Sequence, residues 1–386
     1  VRVLFTSTAG EGHFRPLTAL VGAFAERGDK VLVIAPPKLA STLEASGFDF
    51  RLGDEPSTED SERVWSRFPT LARHDASRLV EREWFATLCL QAMLPTVERA
   101  VEDFSPDLIV RETCEYAAAV VADERGLAQA QVAISTASAE SSVLLRLAGP
   151  ILERRSEGIA RRVYGTPYLT RFPASLDPSP YPTTFRYRER DNLSAKPLPD
   201  WWNGSEAPLI YLTIGTVATG RPRGRDVLSA VLESLAGLDA RILVTTSTKL
   251  DPTEFDDAPS NVHVEPWVDQ ADAFAEASLV VCHGGSGTTL GALGAGVPLV
   301  LLPMFADQPT NAELVERVGA GVAVAPGTES ADVNATTIEE CSASLREAVE
   351  VVLHDPRYRE ASLAMATEIN CAASPRDLVD HLATRI

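Results

Sequence analysis

Apolar residues come along this chain in short unbroken runs, separated by longer stretches in which they recur at helical spacing. Residues 2–7 and 30–35 are two such runs. Between them Leu17, Leu20, Val21 and Phe24 share one face of a helix predicted over 16–27, with Pro16 suited to its first position and Gly28 to its stop. The alternation continues with a helix near 38–46, strands at 48–52 and 107–111, a helix over 115–125 and a strand at 129–134. A helix rich in Leu, Met and Val that ends near Glu102 reads as core.

The second half repeats the pattern. Strands are predicted at 209–214, 241–246, 261–265, 278–282, 297–303 and 321–325, with helices near 226–235, 270–276, 288–293 and 311–318. Thr336 and Glu339 form a capping-box pattern ahead of Ile338, Cys341, Leu345, Val349 and Val352, which repeat at helical spacing, and 356–386 reads as one or two helices. Strand and helix in strict alternation predict an α/β architecture with parallel sheets covered on both faces. Two stretches break the rhythm. Residues 53–83 are polar and acidic, and predict an irregular insertion whose aromatics either line an apolar ligand or lie on a surface loop. Residues 172–208 carry seven prolines and Trp201-Trp202, and predict an extended linker. The 386 residues exceed the roughly 250–300 that one core serves, so two domains are expected, 1–200 and 201–365, followed by a terminal segment 366–386.

A formal net charge of −19 disfavours nucleic acid and anionic membrane as partners. No apolar run approaches the ~20 residues of a membrane helix, and the first residues enter a strand without a leader pattern, which places the expected location in the cytoplasm. The five cysteines are scattered without a CxxC pair, and no HxxxH or DxD spacing appears, so neither a disulfide framework nor a metal centre is expected.

Candidate chemistry concentrates in 279–308, LVVCHGGSGTTLGALGAGVPLVLLPMFADQ. A strand followed by glycines and a small-residue helix is the pattern of an anion cradle, since the backbone can approach a ligand and the helix N–H groups attract it. His283 stands at its mouth, and Asp307-Gln308 follow the next strand. The first strand leads into TAGEGHFR, where Arg15 replaces the last glycine of a dinucleotide fingerprint; NAD is therefore not expected, but His13 occupies the edge where open α/β sheets keep their ligands. A catalytic imidazole needs an acid on its second nitrogen. Glu112, directly after the strand at 107–111, is placed for this, with Glu115 a near competitor. His74 would border the insertion, and His263, His354 and His381 read as surface residues. Trp267 is either domain core or an aromatic shelf for a base.

PWVDQ (266–270), CHGGSGTTLGALGAGVPLVLLPMFADQPTNA (282–312) and GEGHFRP (10–16) resemble the inverting family 1 glycosyltransferases of GT-B fold, particularly the actinobacterial enzymes that decorate natural products. The resemblance covers nearly the whole chain. It implies two Rossmann-like domains with a deep interdomain cleft, the first holding the acceptor, the second a nucleotide sugar, and a last helix packing back on the first. It further implies His13 as general base with Glu112 as its acid partner, in a family that usually has Asp there. Trp267 would stack on the base and Val268 contact its edge. His283, Gly285, Ser286, Gly287 and Thr288 would hold the diphosphate, with Thr216 closing over it, and Asp307 and Gln308 would bind sugar hydroxyls. Trp65, Phe68, His74, Trp84, Phe85, Met93 and Ser138 would meet a bulky small-molecule acceptor. No metal or other cofactor is required, and the enzyme would be a monomer or homodimer. Gly291 stands where the plant branch carries a ribose-gripping Glu, which favours a dTDP-sugar, carrying a deoxysugar, over a UDP-sugar. The alternatives are a UDP-sugar transferase, a retaining transferase or epimerase of the same fold, for which the ExxxxxxxE pair is missing between Asp307 and Val324, and a regulatory nucleotide-binding module.

Overall fold

The computed structural model describes residues 1–189, 195–215, 219–220, 224–247, 249–324 and 335–384. Contacts divide the chain into two compact units, Val1–Asn192 with Cys371–Ile386, and Leu193–Asn370.

The first unit holds a seven-stranded sheet in the order β3-β2-β1-β4-β5-β6-β7, formed by β1 (Arg2–Thr6), β2 (Lys30–Ala35), β3 (Phe50–Leu52), β4 (Leu108–Glu112), β5 (Ala128–Val132), β6 (Tyr168–Thr170) and β7 (Thr184–Arg186). Every pairing is parallel. Alternate side chains of the central strands face opposite layers, as the pleat requires. Val3, Phe5 and Val110 pack with Leu17, Leu20, Val21 and Phe24 of helix Glu11–Glu26 and with Leu378, Val379 and Leu382 of helix Pro375–Ala383. Leu4, Ile34 and Ile109 pack on the other face with Met93, Val97, Ala117 and Ala118.

Three expectations are corrected here. The first helix begins at Glu11, not at Pro16, so His13 belongs to its first turn rather than to a loop; Gly10, at φ 125°, makes the turn from the strand, a conformation that favours glycine. The segment 53–83 is largely helical: Thr58–Trp65, capped by the Ser57 side chain, then Arg73–Leu79, which runs through a π-helical stretch, Val80–Cys89, into Leu90–Phe104. Thr58–Trp65 buries only Val64, so it left no apolar periodicity to read. The proline-rich segment is not all linker. β7 lies within it, Tyr187 pairs with Ala373, and the buried Tyr187 hydroxyl donates to the Pro16 carbonyl at 3.0 Å. Three-residue strands such as β6 and β7 are too short to show a period of two.

The second unit repeats the design with six parallel strands in the order β10-β9-β8-β11-β12-β13: β8 (Leu209–Thr213), β9 (Arg241–Thr245), β10 (Val262–Glu265), β11 (Leu279–Cys282), β12 (Leu299–Leu301) and β13 (Gly321–Ala323). Trp202 donates from its indole to the Asn261 carbonyl at 3.0 Å and Trp201 stacks on His263, so both cover the β10 edge. Thr336, expected as a cap, lies one residue inside helix Ala335–Glu340, and its side chain is outside the described residues. Among the described residues no helix is long and apolar enough to cross a membrane.

In both sheets strand order reverses between the first and fourth strands of the unit, β1/β4 and β8/β11. The crevice outside the carboxyl ends of such a pair is where open α/β sheets bind ligands.

Helix Ser286–Gly294 packs on helix Gln270–Glu276 through Gly291, where an added Cβ would come within 2.6 Å of the Phe274 ring. Packing against Phe274 therefore explains this glycine. Gly291→Ala should destabilise the protein by about 1–3 kcal/mol in urea unfolding, and Phe274→Leu should recover most of the loss in the double variant. Additive losses would contradict the packing account.

Candidate active site

The first group lies at the β1/β4 reversal. Glu112 ends β4 and is fully buried. Thr8, in the turn after β1, donates its hydroxyl to Glu112 Oε1 at 2.7 Å and lies 2.9 Å from His13 Nδ1; His13 Nδ1 is itself 3.3 Å from Oε1. Because the threonine proton goes to the carboxylate, its lone pair faces the ring, which places the imidazole proton on Nδ1 and leaves Nε2 as the basic nitrogen. The Thr8 N–H reaches Oε1 at 3.1 Å and the Cys114 N–H reaches Oε2 at 2.6 Å. Burial alone would raise the Glu112 carboxyl, but His13 and these donors outweigh it and hold it below the usual carboxylate range.

Glu115 has a different task. It is the N-cap of helix Tyr116–Arg125, accepting from the N–H groups of Ala117 and Ala118 and from the Thr6 hydroxyl. Thr8 and the buried Arg111, whose guanidinium donates to the carbonyls of Glu112 and Thr113 at 3.1 Å, were not found from sequence. A threonine two residues past a strand and an arginine within one carry no spacing signal. Glu81 is a third omission. Its carboxyl is pushed up to about 7 by burial, and its Oε2 lies 3.9 Å from Cys114 Sγ.

The expected acceptor residues scatter. The Phe85 ring lies 5.2 Å from the His13 ring. Trp65, 42% exposed, meets both Phe68 and the buried Trp84. Ser138 is exposed at the start of helix Ala137–Ser142. One is corrected: Met93 is 1% exposed, locked under the sheet beside Gly53. The His74 side chain is 78% exposed beside Asp75.

The second group lies at the β11 end. Helix Ser286–Gly294 starts after His283, Gly284 and Gly285, and its N-cap, Gly285, supplies no side-chain cap. Uncapped first-turn N–H groups are the requirement for holding an anion. Gly284 needs its positive φ of 85°, and a Cβ there would sit 3.2 Å from the Gln308 carbonyl oxygen. The His283 ring is wedged so closely that a Cβ on Gly215 or Gly285 would reach Nε2 at 2.6 or 2.5 Å. Its Nδ1 has no hydrogen-bond partner among the described residues. Burial lowers the His283 pKa, against opposing effects of Asp307 and the Thr213 carbonyl, so the ring is neutral at pH 7.

The polar residues around this cradle are tied to one another. Ser286 donates to Asp307 Oδ2 at 2.6 Å; Asn311, unnoticed in the sequence, donates to Asp307 Oδ2 and to the Gly284 carbonyl, both at 2.8 Å. Gln308 is 3% exposed, and its side-chain oxygen accepts from the N–H groups of Met304 and Phe305. Gln270 donates to the Thr288 hydroxyl at 3.1 Å. Gly287 is half-buried. Trp267 is 58% exposed, which removes the reading as core, and Val268 beside it is half-buried. Thr216 lies outside the described residues.

Residues 229–384 match the family described as "Erythromycin biosynthesis protein CIII-like, C-terminal domain". The elloramycin glycosyltransferase ElmGT of Streptomyces olivaceus is 28% identical over 420 aligned residues, covering 100% of this chain and 97% of its own. The chain is a glycosyltransferase of the GT-B fold. The spinosyn rhamnosyltransferase SpnG, solved in complex with thymidine diphosphate, superposes on this glycosyltransferase with a TM-score of 0.77 at 19% identity, over 99% of this chain and 100% of its own. UDP-glycosyltransferase 2 of the fungus Phaeomoniella chlamydospora is 31% identical, but over 50% of this chain and 41% of its own length.

The buried neutral His283 gives the glycosyltransferase a pH signature. The unfolded chain takes up this proton below about pH 6.5 while the folded chain does not, so stability present above that pH is lost as pH falls. In urea unfolding the wild type should lose more stability than His283→Asn between about pH 7.5 and 5.5. Parallel losses in the two proteins would show that His283 is not held neutral.

Proposed function

We propose that this glycosyltransferase moves a sugar from a dTDP-sugar to a hydroxyl of a bulky natural-product acceptor with inversion at the anomeric carbon, the first unit holding the acceptor and the second the donor. The observation that carries the reading is the Thr8–His13–Glu112 chain, which leaves a basic Nε2 on an imidazole backed by a buried carboxylate. His13 Nε2 takes the acceptor proton as the acceptor oxygen bonds to the anomeric carbon. The bond from that carbon to the diphosphate oxygen breaks, and its electron pair leaves with the diphosphate. Glu112, reached directly and through Thr8, stabilises the imidazolium. The N–H groups at the start of helix Ser286–Gly294, with Gly285, Gly287 and Thr288, receive the growing charge. Trp267 stacks on the base beside Val268, and Asp307 presents its free edge to the sugar. No step needs a metal.

The thymidine diphosphate bound to SpnG supports the choice of dTDP, and its rhamnosyl transfer supports a deoxysugar. Gly291 lends no support, because Phe274 already accounts for it. A UDP-sugar is the second reading, favoured by the name of the fungal relative.

Two measurements test this. In a panel of dTDP- and UDP-sugars, a dTDP-sugar at ~100 times its dissociation constant should add about 2.7 kcal/mol of stability, and a response to UDP-sugars alone would overturn the donor assignment. His13→Ala should lower kcat by roughly 10²–10⁴ with donor stabilisation unchanged, and Thr8→Val should lower it by a smaller factor. Turnover of His13→Ala within a few-fold of wild type would remove His13 as the base.

A further inference from the structure

We propose that Cys114 completes, with His13 and Glu112, a binding site for a borderline-soft divalent cation, zinc above all, so that the metal and the acceptor proton compete for the same imidazole. A His13 ring nitrogen, a Glu112 carboxylate oxygen and Cys114 Sγ all lie within 4.8 Å of one another. Zinc bonds of about 2.0–2.3 Å place tetrahedral ligands roughly 3.3–3.8 Å apart, so closing the site takes a contraction of about 1 Å. His13 is distant in sequence from Glu112 and Cys114, and a lone ExC pair is no ligand spacing, which is why the sequence did not announce the site.

A second observation points to a cation here. The Glu81 carboxyl is buried beside Cys114, whose thiol donates to its Oε2 at 3.9 Å, and the His13 imidazole acts on it as well. It is a fourth ligand in waiting. One sulfur, one imidazole and carboxylates suit zinc or cobalt and suit magnesium poorly. Coordination by the thiolate releases the thiol proton to solvent, and a metal on either ring nitrogen leaves His13 without a lone pair for the acceptor proton, because binding at Nδ1 moves the ring proton to Nε2. Metal binding rests on the geometry alone; inhibition rests in addition on His13 as the base.

The test is a Co²⁺ titration of the full chain, followed by thiolate-to-cobalt charge-transfer absorption. The expected result is a saturable band that zinc displaces, that Cys371→Ser keeps, and that Cys114→Ser and Cys114→Ala both lose. Zinc should then suppress turnover where magnesium does not, and Cys114→Ser should raise the half-inhibiting zinc concentration at least ~10-fold. Absence of the band, or its survival in both Cys114 variants, overturns the site. A band that zinc displaces while turnover continues unchanged upholds the metal site and counts against His13 as the base, so the two readings fail separately.

Discussion

The cost of burying one carboxylate organises the first unit. Glu112 has no exposed surface, and an isolated buried carboxylate would take up a proton rather than remain charged. It stays ionised because the Thr8 hydroxyl and two backbone N–H groups are aimed at it and an imidazole stands 3.3 Å away. Removing any one of these donors leaves part of the charge unpaired, which is why the turn after β1 and the turn after β4 are fixed relative to each other. Arg111 holds the second of those turns by its carbonyls.

The surrounding acids show how much the local donors matter. Glu140 is also buried and accepts from Tyr168, Thr113 and the N–H groups of Ile134 and Ser135, yet burial pushes it up to about 8. Burial also pushes Glu81 up, to about 7, against the opposing effects of the His13 imidazole and the Cys114 thiol. Glu112 alone of the three is held down, by an imidazole 3.3 Å away together with the Thr8 and Cys114 donors. A carboxyl held ionised beside an imidazole is the arrangement that the proposed proton abstraction by His13 would use, and neighbours pushed towards neutrality would not compete for that charge.

What could be read from sequence follows the same physics. All six strands of the second unit were legible, because parallel strands buried on both faces are near-continuous apolar runs. His13 and Glu112 were legible because βα alternation places the ends of β1 and β4 together at the reversal of strand order. Thr8 and Asn311 were not, since their partners lie across turns distant in sequence, and Arg111 was not, since its reach to the carbonyls just after it depends on the path of the turn. The polar helix Thr58–Trp65 and the short β6 and β7 were missed for want of periodicity, and Met93 was misplaced because an apolar residue near an acceptor segment reads alike whether it faces a ligand or the sheet.

The cradle of the second unit resolves a tension set by the net charge of −19. An acidic protein that binds a diphosphate would be expected to place lysine or arginine there. Instead His283 is neutral, the Ser286 proton is spent on Asp307, and Asp307 is itself an acid within reach of the site. These three side chains bring no cation to the proposed anion, and the uncapped N–H groups that begin helix Ser286–Gly294 are placed to supply the attraction. Those dipoles are fixed by backbone geometry and do not titrate. For the diphosphate of the proposed donor they would act before and after its bond to the sugar breaks, without the reorganisation that a mobile ammonium group would need.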